Sequence, residues 1–252
     1  MKMRLGFLIA CLMAGAVVST AARAAPYDLT TDYSNTANPN GDWSYTYSGN
    51  PLAHQAAPGT VNPLNPAIPA GGFFGTGNDL NQNTPFVLKA AVNGSSAGGT
   101  DNDFLAGDVL IHSPNDGTAL TIQWTAPSAG TITDLAASVW YAHSSVTRSN
   151  DVTLSLASAV LGAWTVSTAD NTGRADQGSY ANAGPLAVNA GDLLTLSFAK
   201  TALQSFGSLN GVAMSFDFTA SAVTPIPAAL PLFISALVGL GWFGRRGRSQ
   251  AV

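Results

Sequence analysis

The sequence predicts an all-β protein, an antiparallel β-sandwich of the jelly-roll type. Between residues 85 and 220, at least eight short runs alternate apolar with polar residues, and they recur every 10–20 residues with no helical period between them. All fourteen acidic residues are Asp, none is Glu, and 26 residues are Gly. Such a composition disfavours helices and favours strands joined by turns.

Residues 1–24 are predicted to be a secretory signal peptide. Two cations precede an apolar segment at residues 5–18. Ala22-Arg23-Ala24 then places small residues at the two positions that signal peptidase reads. We therefore expect export, with cleavage before Ala25.

Cys11 is the one cysteine of the chain, and it lies within this segment. The run Leu8-Ile9-Ala10-Cys11 leaves a lipoprotein signal as the alternative, although the apolar run continues past the cysteine, where lipoproteins usually carry polar residues. With cleavage before Ala25 the mature chain has no cysteine. This excludes a disulfide scaffold, a thiolate zinc site and a cysteine nucleophile.

The segment between the two termini is strongly acidic. It holds all fourteen Asp residues but four of the ten Lys and Arg residues, so its net charge is −10. Nucleic acid is bound through basic patches that neutralise its phosphates. The charge distribution therefore argues against a nucleic-acid partner.

Turn and loop signals dominate residues 26–84. Asn38-Pro39-Asn40-Gly41 predicts a turn, and the alternation of aromatic and polar residues at 43–47 predicts a half-buried strand after it. Residues 48–84 are rich in proline and asparagine, and we expect little regular structure there. A loop of this length in a compact domain is usually functional or mobile.

The later strands predict the hydrophobic core through their alternation. The runs DVTLSLAS, GDLLTLSFAK and NGVAMSFDFTA direct every second side chain to one face. Trp43 and Trp124 are expected to pack in the same core because large aromatic rings bury most of their surface. The predicted core residues of the three runs are Val152, Leu154, Leu156, Leu194, Leu196, Phe198, Val212, Met214, Phe216 and Phe218.

A second apolar segment closes the chain, within a C-terminal region at residues 222–250 that follows a sandwich domain at residues 25–221. Seventeen residues, 227–243, carry no charge. A helix of that length spans about 25 Å, close to the roughly 30 Å of a hydrocarbon core, so we expect a membrane helix at about residues 228–244. By the positive-inside rule, its cytoplasmic stop consists of Arg245, Arg246 and Arg248.

The order of these features resembles a known sorting signal. Thr224-Pro225-Ile226-Pro227-Ala228 precedes the apolar segment and arginines follow it, as in the PEP-CTERM signals whose motif reads Val-Pro-Leu-Pro-Ala. Thr224 and Ile226 depart from that motif. The resemblance covers residues 223–248. It implies a transient anchor in the inner membrane of a Gram-negative bacterium, cleavage by an exosortase-type enzyme, and a final place at the cell surface or outside the cell.

The body of the chain has a resemblance of its own. The stretches NPNGDWSYTY, IQWTAPSAGTI and LAVNAGDLLTLSF, within residues 32–219, are together similar to a β-sandwich domain frequent in exported bacterial proteins. Thr46 and His112-Ser113-Pro114 depart from its pattern, which has Gly and His-Pro-Gly there. The resemblance implies a galactose-binding-like, or carbohydrate-binding-like, jelly roll, with extracellular polysaccharide as its candidate ligand.

Three aromatic residues are candidates for stacking on sugar rings. Trp140 and Tyr141 are adjacent in a predicted strand, so one of them must face away from the core if the strand is regular. Trp164 lies in the run VLGAWTVS. These rings are the predicted ligand-stacking residues.

The candidate metal ligands are Asp101, Asp103 and Asp108. Their oxygen atoms suit calcium, although the full calcium-loop motif is missing. A solvated acidic turn is the alternative for this segment. The sequence indicates no other cofactor.

Catalytic signals are sparse. The three histidines, His54, His112 and His143, lie in no recognisable motif, since the chain has neither Gly-x-Ser-x-Gly nor His-Glu-x-x-His. We predict a non-catalytic exported surface or extracellular-matrix protein that binds polysaccharide. The alternatives are a purely structural component of a biofilm or envelope, without a ligand, and an extracellular hydrolase.

Overall fold

Two antiparallel sheets account for most of the described chain. Among the described residues the one α-helix is the four-residue turn α1 (Leu29–Asp32), which confirms the prediction of an all-β fold for them. No helix among them is long and apolar enough to cross a bilayer. Nearly all of the predicted signal peptide, the sorting motif at residues 224–228 and the predicted span lie outside the described residues. The computed structural model describes residues 24–57, 67–80, 82–94, 103–143, 146–167 and 178–222.

The strands are short at the start of the chain and longer towards its end. Their bounds are β1 (Ala24–Asp28), β2 (Trp43–Tyr47), β3 (Asn50–Pro51), β4 (Ala53–Gln55), β5 (Phe73–Gly75), β6 (Phe86–Lys89), β7 (Val109–His112), β8 (Leu120–Thr125), β9 (Gly130–Tyr141), β10 (Ser149–Leu156), β11 (Ala159–Ser167), β12 (Gly178–Asn182), β13 (Leu186–Val188), β14 (Leu193–Lys200) and β15 (Leu209–Ala220).

The chain passes repeatedly between the two sheets. The nine-stranded sheet has the order β12-β9-β15-β7-β6-β5-β4, with β1 paired to β15 and β13 paired to β9. The six-stranded sheet has the order β11-β10-β14-β8-β2-β3. The chain passes from one sheet to the other after β1, β3, β7, β8, β9, β11, β13 and β14, so strands from all parts of the domain add side chains to the layer between the sheets.

The main core draws on both sheets, as a sandwich requires. All ten residues predicted from the alternating runs are buried in it, so that prediction is confirmed. Trp43 and Trp124 are buried there too. The Trp124 ring packs edge-on against Phe216 and Phe218, with centroid distances of 5.0 and 5.3 Å, as aromatic rings prefer.

A second, smaller core covers the outer face of the nine-stranded sheet. It contains Phe73, Phe86, Leu110 and Trp140, with residues of the neighbouring loops. Alternation along β9 therefore sends Tyr141 into the main core and Trp140 into the second one. The expectation that one ring of this pair is exposed is wrong, because both faces of β9 are covered there.

Residues 48–84 carry more regular structure than the sequence predicts. Within their described part, β3, β4 and β5 extend the two sheets, and Phe74 of β5 pairs with Val87 of β6. Phe73 and Phe74 are fully buried, one in each core. Strands of two or three residues are too short to show a period of two, which is why the alternation gave no signal.

The strands run between two distinct ends of the sandwich. At the terminal end, Ala24 pairs with Thr219 and Leu193 pairs with Thr125. At the loop end, β15 begins at Leu209 and β8 begins at Leu120, opposite Phe198. Because β15 has 12 residues, the two ends are separated by roughly 36 Å at about 3.3 Å per residue.

Trp140 lies over a glycine on the neighbouring strand. Gly211 of β15 pairs with Trp140 of β9, and a Cβ atom at Gly211 would lie 2.1 Å from atoms of the indole ring. That distance is far inside van der Waals contact. A side chain at position 211 is therefore incompatible with the observed position of Trp140.

We predict that Gly211→Ala lowers the free energy of unfolding by about 1–3 kcal/mol, the usual cost of overpacking a core. Urea unfolding measures the change. Gly184→Ala is the control, because the added methyl group would contact only the Asn182 side chain, at 3.1 Å, and should change stability by less than about 0.5 kcal/mol. Equal stability of Gly211→Ala and the natural protein would contradict the packing described here.

Candidate functional site

An open cleft of about 360 Å³ lies at the terminal end. Ligand pockets usually enclose about 300–1,000 Å³, so the cleft lies at the small end of that range and has room for one small unit of a larger ligand. Strand β1, helix α1 and the turn before β2 build its wall. The lining residues are Ala25, Pro26, Tyr27, Asp32, Asn40, Gly41, Asp42 and Trp43.

A tight turn positions half of the cleft. The backbone N–H of Asn40 donates to the Trp43 carbonyl at 2.8 Å, and that of Trp43 donates to the Asn40 carbonyl at 3.1 Å. Gly41 has φ = +56°, a conformation that glycine adopts at little cost. This confirms the turn that Asn38-Pro39-Asn40-Gly41 predicts.

Asp32 joins helix α1 to that turn. Its Oδ2 atom accepts hydrogen bonds from Trp43 Nε1 at 3.1 Å and from the backbone N–H of Asp28 at 3.0 Å. The Asn40 side-chain amide donates to the Asp32 carbonyl at 2.8 Å. The first two bonds orient the Asp32 carboxylate in the cleft, and the third holds its backbone against the turn.

Tyr27 holds the second carboxylate. Its hydroxyl group donates to Asp42 Oδ2 at 2.6 Å. Burial, together with the hydrogen bond to Asp42, raises the pKa of Tyr27 to about 12. The phenol therefore stays protonated and keeps donating at any physiological pH. Its ring stacks on Phe216 at 5.3 Å and packs edge-on against Trp124 at 5.1 Å.

Acceptor atoms dominate the chemistry of the cleft. Within the described residues, the hydrogen bonds to Asp32 and Asp42 end on Oδ2 of each, and an ionised carboxylate can accept about four in all. Both side chains are half-buried, so their Oδ1 atoms can accept from a ligand. The lining contains no cation. The arrangement suits a ligand with several hydroxyl groups and no negative charge.

The predicted stacking residues lie outside the cleft. Trp140 is 4% exposed and its Nε1 donates to the Asp103 carbonyl at 2.7 Å. Tyr141 is fully buried and its hydroxyl donates to the Val146 carbonyl at 2.7 Å. Neither ring presents a face to solvent, which corrects the expectation that one of them is available for a sugar ring.

Trp164 occupies a different position. It is half-buried on β11, and its ring lies against Gly162 of β11 and Gly178 of β12, where added Cβ atoms would come within 2.7 and 2.5 Å of it. Because β11 belongs to one sheet and β12 to the other, Trp164 closes the seam between the sheets. Its use as a stacking platform stays a prediction.

The predicted metal ligands have other contacts. Asp108 Oδ2 accepts the backbone N–H of Leu105 at 2.7 Å, and the backbone N–H of Asp103 donates to the Ala142 carbonyl at 3.1 Å. Asp101 lies outside the described residues. Among the residues that are described, no three His, Cys, Asp or Glu side chains come close enough to hold an ion. Calcium binding at residues 101–108 stays a prediction.

His112 and His143 have environments that disfavour acid–base chemistry near neutral pH. Burial lowers the pKa of His112 to about 4. Burial, with the charge of Arg148, lowers the pKa of His143 to about 4 as well. Both imidazoles are neutral at pH 7, and a group with a pKa of 4 is a weak base. His54 bonds through Nε2 to the Gly71 carbonyl at 2.7 Å.

Comparison with known proteins identifies no family. No protein-family model matches the chain, and no curated protein matches it. Among solved structures, a family 35 carbohydrate binding module from Clostridium thermocellum has 12% identity and a TM-score of 0.26, covering 43% of this chain and 76% of its own. Carbohydrate-Binding Module CBM36, in complex with calcium and xylotriose, has 13% identity and a TM-score of 0.21, covering 46% and 81%. At these scores neither likeness bears on the function of this chain.

The cleft contains residues that sequence reasoning missed, namely Tyr27, Asp32 and Asp42. The one available signal was the predicted turn, which precedes Asp42 directly. Nothing in the sequence brings Tyr27 to Asp42, fifteen positions away, because their contact depends on the pairing of β1 with β15.

We predict that Asp32→Ala lowers the free energy of unfolding by about 1–3 kcal/mol, because it leaves the N–H of the buried Trp43 indole without an acceptor. Asp32→Asn, which keeps one side-chain oxygen, should lose less. The control is Asp151→Ala on β10, which removes an exposed hydrogen bond to Thr165. This change should lower the free energy of unfolding by less than about 0.5 kcal/mol. Urea unfolding measures these changes. If Asp32→Ala is as stable as the control variant, Asp32 does not act as the acceptor that stabilises the Trp43 indole.

Proposed function

We propose that this protein is an exported, non-catalytic carbohydrate-binding protein, and that its cleft binds a neutral saccharide unit of an extracellular polysaccharide. The observation that carries this is the convergence of two oriented carboxylates, Asp32 and Asp42, with an amide and a phenol in one cleft. Carboxylates that keep free lone pairs accept hydrogen bonds from neighbouring sugar hydroxyl groups. Charge-assisted bonds of this kind are about twice as strong as neutral ones.

The charge of the cleft selects among polysaccharides. Its lining has two acidic residues and no basic one, and the segment around it carries a net charge of −10. A uronic acid or a phosphorylated sugar would meet like charge in a half-buried site, which costs binding energy. Neutral sugars, and amino sugars that carry a positive charge, fit the same site without that cost.

A hydrolase is the second candidate, and the same pair of carboxylates favours it. Glycoside hydrolases work with two carboxyl groups on either side of the scissile bond, one of them a general acid. Against it, the Asp42 carboxylate is held by the Tyr27 hydroxyl and the Asp32 carboxylate by Trp43. Both carboxylates thus serve as oriented acceptors, a role that suits the binding of hydroxyl groups.

Export and sorting belong to the same proposal. The sequence of residues 1–24 supports secretion, and the succession of Thr224-Pro225-Ile226-Pro227-Ala228, an apolar segment and three arginines supports recognition by an exosortase-type enzyme. In this account the C-terminal segment anchors the protein in the inner membrane until it is processed. The sandwich domain then reaches the cell surface or the extracellular matrix.

We predict that the protein binds neutral polysaccharides and that Asp32→Asn and Asp42→Asn each weaken binding about tenfold or more, since a hydrogen bond to a charged group is worth roughly 1.5–3 kcal/mol. Titration calorimetry with neutral and uronic polysaccharides provides the measurement. Asp151→Asn removes the same charge from an exposed site on β10 and serves as the control.

Unchanged affinity in both cleft variants, or a preference for uronic polymers, would count against the cleft as the binding site. New reducing ends released from the polysaccharide, and lost in Asp42→Asn, would favour the hydrolase.

We predict that the exported protein lacks residues 229–252, because cleavage near the proline motif releases the domain from its membrane segment. Mass spectrometry of intact protein isolated from cells tests this. Replacing Pro225 and Pro227 by Ala should leave the protein unprocessed and anchored. A mature natural protein that still contains Trp242 and Phe243 would show that the tail is a permanent anchor rather than a sorting signal.

A further inference from the structure

One loop at the loop end exposes two large apolar side chains. Residues 201–208, which we call the tip, connect β14 to β15. Leu203 is 98% exposed and Phe206 is 53% exposed. Among the described residues, Leu105 at 51% and Val160 at 65% are the other large hydrophobic side chains exposed to this degree, so the tip concentrates half of them within four positions.

The tip is held in place by hydrogen bonds from several elements. The backbone N–H of Thr201 donates to the Ser149 carbonyl at 3.1 Å. The backbone N–H of Gly207 donates to Asn115 Oδ1 at 2.9 Å, and that of Ser208 donates to Ser113 Oγ at 3.0 Å. The apolar side chains are therefore presented on an ordered loop, so that burying them in a partner costs little loop entropy.

Two cations support the same loop. Lys200 Nζ donates to the Gln204 carbonyl at 2.7 Å, and Arg148 Nη1 donates to the Gly207 carbonyl at 2.9 Å. The guanidinium carbon of Arg148 lies 5.1 Å from the centroid of the Phe206 ring, within range of a cation–π interaction. The described residues contain three Lys and Arg side chains, and the third, Lys89, lies elsewhere and donates to the Thr30 carbonyl.

Both cations keep unused donors. An ammonium group has three donors and a guanidinium group has five, and the contacts above use one of each. Two acids lie on neighbouring segments. Asp116 precedes Gly117, where an added Cβ atom would lie 3.9 Å from Lys200 Nζ, and its two oxygens accept from Tyr47 and Thr118. Asp151 follows Asn150, the strand partner of Lys200, and accepts from Thr165. The tip thus combines apolar side chains with positive charge that can bind phosphate oxygens.

We propose that the tip binds the surface of an anionic lipid bilayer, inserting Leu203 and Phe206 between headgroups while Arg148 and Lys200 bind their phosphates. Apolar side chains flanked by cations are the combination that places a segment at a membrane interface.

Size and charge support this occupant. Two side chains expose a few hundred Å² at most, against roughly 800 Å² per partner in a stable protein complex, whereas a lipid surface deforms around a small insertion. The negative charge elsewhere on the domain acts weakly at the tip, because the Debye length is about 8 Å at physiological ionic strength.

The position of the tip makes this site independent of the cleft. The tip adjoins the start of β15 at Leu209. The cleft is lined by β1, and Tyr27 of β1 pairs with Phe216 in the second half of β15. Lipid and polysaccharide would therefore bind at opposite ends of the sandwich. A protein with both sites would link a lipid surface to a neutral polysaccharide, although lipid binding does not depend on the polysaccharide.

A probe on the tip separates its binding from any membrane affinity of the apolar C-terminal segment. The full chain, with Cys11→Ser, receives a single cysteine at the exposed Ser205 (Ser205→Cys) or, as the matched control, at the exposed Val160 on β11 (Val160→Cys). Each is labelled with an environment-sensitive dye. The labelled proteins are then mixed with vesicles of phosphatidylcholine alone or of equal parts phosphatidylcholine and phosphatidylglycerol.

We expect a blue shift of the dye at position 205 with the mixed vesicles, and no shift at position 160 or with phosphatidylcholine alone. Leu203→Asp together with Phe206→Asp should weaken the response about tenfold or more, and Lys200→Gln should reduce its dependence on salt. No shift at position 205, or an equal shift with both kinds of vesicle, would overturn the proposal. A shift that rises with protein concentration in the absence of vesicles would instead indicate a second copy of the chain as the partner, and would overturn it too.

Discussion

β15 pairs with three strands, and these pairings hold the nine-stranded sheet and the wall of the cleft together. β15 lies beside β9 along most of its length, and its other edge is shared by β7 and β1. Its inward side chains Met214, Phe216 and Phe218 join the main core. The Phe216 ring contacts Tyr27, Trp43 and Trp124, so one strand supports the aromatic cluster beneath the cleft. Because β1 adds little buried surface of its own, its position relies on this pairing.

In the cleft, aromatic residues of the hydrophobic core orient the polar groups. Asp32 and Asp42 are each fixed by an aromatic residue whose ring is packed in the main core, Trp43 in one case and Tyr27 in the other. A carboxylate held this way has lost most of its rotamer freedom before a ligand arrives, which lowers the entropic cost of binding. The same arrangement explains why binding suits the site better than proton transfer. Its donors hold each carboxylate in one orientation, and the lining of the cleft includes no histidine that could act as a base.

The two ends of the sandwich differ in chemistry. The terminal end offers carboxylate oxygens in a cleft, and the loop end offers ordered apolar side chains beside two cations. A strand of 12 residues separates them, so a ligand at one end meets little of the field of the other end in salt solution. Arg148 and Lys200, two of the few cations of this acidic domain, both contact the same loop. Each donates a hydrogen bond to a loop carbonyl that would otherwise depend on water.

The sequence alone accounts for the sheet class and the main core, because the alternation of Val152, Leu154 and Leu156, or of Met214, Phe216 and Phe218, is a local property of each strand. It also determined the turn at Asn40 and Gly41, which depends on local backbone preference. The fold, and not the sequence pattern, sets what covers the outer face of β9, where Trp140 is buried and not exposed. It also decided that Tyr27 meets Asp42 and that Arg148 meets Phe206. Those contacts depend on strand pairing and loop placement between distant parts of the chain, and no local pattern encodes them.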